Sequence, residues 1–341
     1  MVNLLRQNAL RCRAAALLAC CMFCGVAQAE HVRFASTRSL SNAPFLIAQA
    51  KGYFAAEGID AEHVIFDASG PITVAIASAD ADFGATGLSG AFFNLANGGQ
   101  LHIIAGYVTD SPGFPAIAYI VSNQAWDAGL KSFKDLGGRS VGVTQMGTGL
   151  QYSVALLAEK FGFDFRSVRI LPLQSYPNEL SAVMGGTIEA AVVPTTYARP
   201  AVEAGTVKLL GELGDAVRVQ TGTIFISAKT AADRPRLVER FLRAFRHGAH
   251  DYHDAFVGED EHPGWTASAP ALATLLAAAV QPPQTVEQLR RDLTYIDADA
   301  RVNARDVLRQ AAWYKAQGMV KGEIDGDTLI DRRFAILFPE R

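Results

Sequence analysis

The sequence predicts an α/β chain made of two similar open sheets, each flanked by helices, followed by a helical tail. Three observations predict it. Short apolar runs of strand length alternate with helix-length segments along the first two thirds of the chain. The alternation breaks at the turn-rich Asp110-Ser111-Pro112-Gly113-Phe114-Pro115 and then starts a second cycle. Beyond Ser227 only helix-period segments remain. A length of 341 residues suits two units of ordinary size, and a 50% hydrophobic content supplies a core for each.

The first cycle opens with a strand over 32–36. The polar run 37–43 reads as a loop, and Pro44 starts an amphipathic helix in the first-turn position that tolerates its missing N–H. That helix runs to a Gly-Tyr-Phe…Glu-Gly stop. A strand over 63–67, a Ser69-Gly70 loop and a helix over 71–78 come next. A strand over 81–85 stops at Thr86-Gly87, a helix over 88–97 closes at Gly98-Gly99, and 101–107 is the fourth strand. Strands separated by helices need crossover connections, which make neighbouring strands parallel.

After the break, 116–121 reads as an apolar strand leading out of the first sheet. The second cycle has strands over 140–144, 168–173, 190–193 and 207–210, with helices over 150–161, 177–184 and 197–204. A strand over 221–227 follows, then helices over 236–249, 272–280, 286–293 and 305–317. A helical tail cannot build a third sheet, so it is expected to pack back on the first lobe. The strands 116–121 and 221–227 then form the hinge region, and the lobes are 30–121 with 222–341, and 122–221.

Residues 1–29 read as a cleavable secretory signal peptide. Arg6, Arg11 and Arg13 precede the small-apolar run 14–26, and Ala27-Gln28-Ala29 fits the small-x-small rule, with cleavage after Ala29. The apolar run is too short for a membrane span of about 20 residues. Cys12, Cys20, Cys21 and Cys24 all lie within residues 1–29, so the mature chain is expected to carry no disulfide, thiolate metal site or cysteine nucleophile. Lipoprotein anchoring at Cys20 is the alternative, weakened by Leu18 at the middle position of Leu17-Leu18-Ala19. Removing the three arginines from 31 basic residues leaves 28 against 34 acidic ones, which offers no electrostatic footprint for nucleic acid or an anionic membrane.

The run Pro44-Phe45-Leu46-Ile47-Ala48-Gln49-Ala50-Lys51-Gly52-Tyr53-Phe54…Glu57-Gly58-Ile59 resembles the first helix of periplasmic substrate-binding proteins of ABC importers. The branch is the one that handles nitrate, sulfonates, taurine and thiamine-pyrimidine precursors. Ala81-Asp82-Phe83-Gly84, Lys134-Asp135-Leu136-Gly137-Gly138, Gly147-Thr148-Gly149…Tyr152, Gly186-Thr187-Ile188-Glu189 and Leu329-Ile330-Asp331-Arg332-Arg333-Phe334 match further, in the family's order. Ala79 stands where the family usually has Gly, and Glu189 where Asp is commoner. The resemblance implies a type II periplasmic-binding-protein fold: two lobes, each an open mostly parallel sheet, two hinge crossovers, and a C-terminal tail on lobe I. It further implies ligand-driven hinge closure in a monomeric, non-enzymatic periplasmic protein. That protein would hand a small-molecule ligand to an ABC permease and its ATPase at the inner membrane, with no cofactor.

An open parallel sheet binds ligands at the carboxyl ends of its strands. The loops 37–42, 69–70 and 84–87 of lobe I and 147–149 of lobe II are therefore expected at the cleft, with 194–196 beside the last. The candidate ligand-binding residues are Arg38, Ser39, Asn42, Ser69, Gly70, Thr86 and Tyr107 on one side, and Gly147, Thr148, Gly149, Tyr152 and Thr195 on the other. Gly147-Thr148-Gly149 precedes a helix, whose free N–H groups and dipole suit an oxyanion; the plainer reading is a tight turn. Tyr152 occupies the third glycine position of G-x-G-x-x-G and no P-loop lysine follows, so nucleotide binding is not expected.

Arg38 is the one cation in the first loop and suits bidentate pairing with a sulfonate or carboxylate, unless it is a solvated surface residue. Arg199 is a second candidate. Tyr107, Phe114, Tyr152 and Tyr176 offer rings to an organic ligand body. His247, His250, Asp251, His253 and Asp254, followed by Glu259-Asp260-Glu261-His262, have helical spacing that suits zinc or nickel; the plainer reading is a solvated face, and no metal is assigned.

G-x-S-x-G and H-E-x-x-H are absent, so no enzymatic activity is expected. The alternatives are an exported protein that binds or makes hydroxymethyl-pyrimidine, and a ligand-sensing domain. Fungal thiamine-pyrimidine synthases share the fold and carry a Cys-rich cluster, but Cys20-Cys21-Met22-Phe23-Cys24 lies in the signal segment.

Overall fold

Two five-stranded sheets flanked by helices make up the computed structural model, which describes residues 29–258, 261–280 and 283–339. The expected signal segment through Gln28, with all four cysteines, lies outside the described residues, as do Glu259 and Asp260. In chain order the first half-lobe comprises β1 (Glu30–Thr37), α1 (Ala43–Ala50), α2 (Tyr53–Ala56), β2 (Ile59–Phe66), α3 (Ser69–Ala77), β3 (Phe83–Gly87), α4 (Gly90–Asn97) and β4 (Leu101–Asp110). The second cycle is β5 (Ile117–Ser122), α5 (Asn123–Asp127), β6 (Ser140–Val143), α6 (Gly149–Phe161), β7 (Arg169–Pro172), α7 (Tyr176–Met184), β8 (Ala190–Pro194), α8 (Thr195–Glu203), β9 (Val207–Glu212) and α9 (Leu213–Ala216). The chain returns through β10 (Val219–Ser227) into α10 (Ala228–Asp233), α11 (Pro235–Phe256), α12 (Ala269–Ala279), α13 (Val286–Arg291), α14 (Ala304–Ala316) and α15 (Gly326–Leu329).

The strand orders are β2-β1-β3-β10-β4 and β7-β6-β8-β5-β9. In each sheet four strands run one way and one runs against them, β10 in the first and β5 in the second. The mixed, mostly parallel sheets have a simple cause. Strands linked by crossover helices end at the cleft, whereas β5 and β10 enter directly from the other lobe and therefore start there and run away from it.

This topology corrects three expectations. The strand expected to lead out of the first sheet, β5, pairs with β8 and β9 of the second, so the outward crossing falls before Ile117 rather than after Val121. The return falls between β9 and β10, ahead of the expected boundary at 221/222. Ser69-Gly70 and Thr195-Thr196, expected as loops, are the first turns of α3 and α8. The opening helix is also split, because Gly52 takes a left-handed φ of 75° between α1 and α2.

The tail packs on the first sheet as expected. Along α11, Leu237, Val238, Phe241, Leu242, Phe245 and Ala249 fall on one buried stripe at helical spacing. Phe241 stacks on Phe83 of β3 with ring centroids 3.7 Å apart, and Phe34 stacks on Phe45 of α1 at 4.4 Å. Each such side chain contributes about 1.5–3 kcal/mol through burial, so α1 is clamped between β1 and α11. That clamp sets the position of the polar turn just ahead of α1.

Candidate functional site

The polar run after β1 first satisfies itself. Ser39 caps a 3-10 turn (Leu40–Asn42), its hydroxyl accepting from the Ser41 N–H at 3.2 Å. Asn42 Nδ2 donates to the Thr37 carbonyl at 2.8 Å, and Asn42 Oδ1 accepts from the Tyr107 hydroxyl. Asn42 is thus a brace that fixes Tyr107 at the end of β4.

The strand ends of the two sheets face each other across a cleft with about 90 Å³ of water-reachable space. From the first lobe Thr37, Ser39, Ser41, Ser69, Thr86 and Tyr107 face it; from the second, Thr144, Thr148, Gly149, Ser153 and Tyr176. Val108, Ile117, Leu150 and Leu213 supply apolar wall. No Asp, Glu, Lys, Arg or His is among the described lining residues. The polar complement is instead hydroxyls and helix ends. Both α3 and α6 begin at the cleft without a side-chain cap, and the Thr148 hydroxyl is turned back to the Gln145 carbonyl at 2.9 Å. By contrast α4 and α5 are capped by Ser89 and Ser122. Uncapped first turns leave N–H donors and the positive dipole end for an acceptor placed between the lobes.

Of the twelve expected ligand-binding residues, the fold brings Ser39, Ser69, Thr86, Tyr107, Thr148 and Gly149 to the cleft. The rest are placed otherwise. Arg38 pairs with Asp67, Nη1 to Oδ1 at 3.0 Å, and lies off the cleft wall. Gly70 sits beneath Gln145 of the opposite lobe, whose Oε1 lies 2.6 Å from where a Cβ would stand. Gly147 donates its N–H to Gln151 Oε1 at 2.7 Å and accepts the Gly90 N–H at 2.9 Å, a bond between lobes. The Thr195 hydroxyl donates to the Pro115 carbonyl at 3.0 Å. Asn42 braces from behind, and Tyr152 points away from the cleft toward Trp313 of α14.

Tyr176 does face the cleft, while Phe114 packs edge-on against Tyr295 in the core. Arg199 joins α8 to Asp292 and to Glu212, the latter at 2.9 Å. In the histidine cluster Asp251 is held by Lys51 and Tyr53, and His250 faces Asp299 at 3.2 Å. Among the described residues no group of three or more His, Cys, Asp or Glu is arranged to hold a metal ion. Sequence reasoning missed Thr144, Ser153, Leu213 and Thr221. Ser153 lies one turn along α6 from Gly149, which helical spacing alone makes legible; Leu213 and Thr221 belong to the misplaced return crossing.

Asp110, at the end of β4, ties both crossings together. Its Oδ1 accepts the N–H groups of Ala116 at 3.3 Å and Ile117 at 3.0 Å, and its Oδ2 accepts the Thr221 hydroxyl at 2.9 Å. Burial pushes its pKa up to about 7 against the pull of these donors, and Glu212 adds to the rise. A raised carboxyl pKa means stability that is complete below about pH 4 and lost as pH rises through about 7. Asp110→Asn keeps an oxygen acceptor but does not titrate, so it flattens that fall. Urea midpoints at pH 4.5, 6 and 7.5 check this, and an unchanged slope in the variant refutes it.

Residues 40–255 match the family described as NMT1/THI5 like. No curated protein matches the chain. Among solved structures, the chain is similar to the periplasmic aliphatic sulphonate binding protein SsuA from Escherichia coli, at 17% identity over 92% of this chain and 95% of that chain, with a TM-score of 0.66. It is similar to the periplasmic nitrate-binding protein NrtA from Synechocystis PCC 6803, at 13% identity over 90% of this chain and 87% of that chain, TM-score 0.66. The Candida albicans CA3427 gene product, described as having the generic periplasmic binding protein fold, matches at 15% identity over 91% of this chain and 98% of that chain, TM-score 0.68. Two mixed sheets in two lobes, an interlobe cleft and a family match over more than half its length together show that the chain belongs to the NMT1/THI5-like family and has the periplasmic-binding-protein fold.

Proposed function

We propose that the protein is the solute-binding component of an ABC-type importer. It takes a small organic molecule with a sulfonate or carboxylate head between its lobes and presents it to a membrane permease and its ATPase partner. The observation that carries this is the uncharged cleft onto which α3 and α6 open uncapped. An oxyanion accepts N–H and hydroxyl donors there without a counter-cation, and Val108, Ile117, Leu150 and Leu213 cover its apolar body. Among the described lining residues there is no carboxylate, imidazole or amine to act as a general base, which favours binding over turnover. Export through the 1–29 segment puts the protein in the periplasm as a monomer, where its sulfonate- and nitrate-binding structural relatives work.

Thermal shift with ethanesulfonate, propionate, nitrate and hydroxymethyl-pyrimidine tests the reading. A cognate ligand at a hundredfold over its Kd stabilises by about 2.7 kcal/mol, and Ser69→Ala weakens it about tenfold. Preference for hydroxymethyl-pyrimidine over every anion overturns the anionic-head assignment; formation of a product overturns the binding role.

A further inference from the structure

The hydroxyls at the hinge end of the cleft have already committed their protons. Thr221 of β10 lines that end, is only partly buried, and donates its hydroxyl proton to Asp110 Oδ2 at 2.9 Å. Tyr107 on the neighbouring β4 donates to Asn42 Oδ1, and the bond from Asn42 Nδ2 to the Thr37 carbonyl at 2.8 Å fixes that orientation of the amide. A hydroxyl carries one proton and two lone pairs. Toward a ligand these two oxygens therefore offer lone pairs.

The field behind them is negative. Asp110 is fully buried, and its donors, the N–H groups of Ala116 and Ile117 and the Thr221 hydroxyl, are uncharged. Burial and then the Glu212 carboxyl of β9 push its pKa up to about 7, so at pH 8 it is ionised. Tyr119 of β5 also feels this charge, and its own burial keeps it neutral.

The donors lie one strand away. Gly149, the first residue of the uncapped α6, stands over the end of β3, where a Cβ would be 3.7 Å from the Leu88 carbonyl oxygen. Since β10 is the neighbour of β3, Thr221 is displaced from this donor end by about 5 Å. A short carbon chain spans that distance.

Resting on the anion-binding reading above, we propose that the cleft takes a monoanion whose far end is a neutral hydrogen-bond donor, a carboxamide in the simplest case, and rejects a molecule with a second anionic group there. The head accepts from the N–H groups that open α6 and from the Ser69 and Thr86 hydroxyls; the far end donates to Thr221 and Tyr107. A second carboxylate in that place sets its lone pairs against theirs in front of the buried Asp110 charge, and neither oxygen can donate to offset its desolvation. Asp110 is a positioning residue that acts through Thr221.

The test is calorimetric titration of the full chain at pH 8 with two size-matched pairs, butanedioate against its half-amide and 3-sulfopropanoate against its carboxamide. In a pair only O⁻ and NH2 are exchanged. The amide of the better-bound pair has a Kd about a hundredfold below that of its dianion. Asp110→Asn keeps Oδ1 for the two backbone N–H groups and turns an amide donor on Thr221, which frees the Thr221 proton for the ligand; the ratio of the two Kd values falls about tenfold. Thr221→Val removes the acceptor and lowers the same ratio by weakening the amide, which keeps the test open if Asp110→Asn does not fold. A dianion bound as tightly as its amide, or a ratio that neither variant lowers, overturns the inference and leaves the anion-binding reading standing. Binding of none of the four compounds overturns both.

Discussion

Glu179→Met is expected to raise the unfolding free energy at pH 7 by about 3 kcal/mol. Glu179 lies in the first turns of α7, fully buried, and neither of its carboxylate oxygens has a hydrogen-bond partner. Burial pushes its pKa up to about 9 from an ordinary 4.5. At pH 7 the unfolded chain carries this group ionised, whereas the native chain must hold it protonated. The sign follows from the raised value: the contribution is complete below about pH 4.5 and is lost as pH rises through about 9. Methionine is unbranched, of similar length and fits irregular apolar space without a polar atom to satisfy. Guanidinium unfolding at pH 5, 7 and 9 should show the variant's advantage widening with pH. Equal stabilities at all three would mean that the carboxyl reaches water or a partner.

The second large effect is a loss. Gly248→Ala on α11 should destabilise the protein by about 2 kcal/mol or more, even though alanine is the better helix former by about 1 kcal/mol. A Cβ at Gly248 would stand 2.0 Å from the Pro44 carbonyl oxygen and 3.1 Å from the Ala48 nitrogen. Both are backbone atoms of α1, so relief requires the two helices to separate, and overpacking of this kind costs about 1–3 kcal/mol before that shift spreads. Pro44 is two residues from Asn42, which braces Tyr107, so the displacement also reaches the cleft. Denaturant unfolding together with ligand affinity checks both consequences. A variant as stable as the parent would show that α1 and α11 are less closely packed than the structure has them.

These residues also show where sequence reasoning reaches and where it stops. Glu179 stands in the first turn of α7, where an acid answers the helix dipole, and nothing local in the sequence says that the turn faces inward. Gly248 reads as an ordinary weak point in an amphipathic helix. Arg38 reads as the one cation of the first loop, suited to an oxyanion or else solvated, and in the fold it pairs with Asp67. Tyr152 sits at the expected helix start, and its direction depends on Trp313, far along the chain. Ser39, Ser69, Thr86 and Thr148 were legible because a strand end followed by a helix start fixes where their backbone lies.

By itself the sequence determined the alternation of strands and helices, the two cycles and the helical tail, because periodicity, turn residues and caps act between near neighbours in the chain; the family was legible only through the resemblance of its ordered motifs. Only the tertiary structure decided that β5 crosses to the second sheet, that Asp110 joins the two crossings, and that the described residues lining the cleft carry no charge. Those outcomes depend on which distant groups meet. Pairing, burial and desolvation are set by the assembled lobes and leave no periodic trace in the chain.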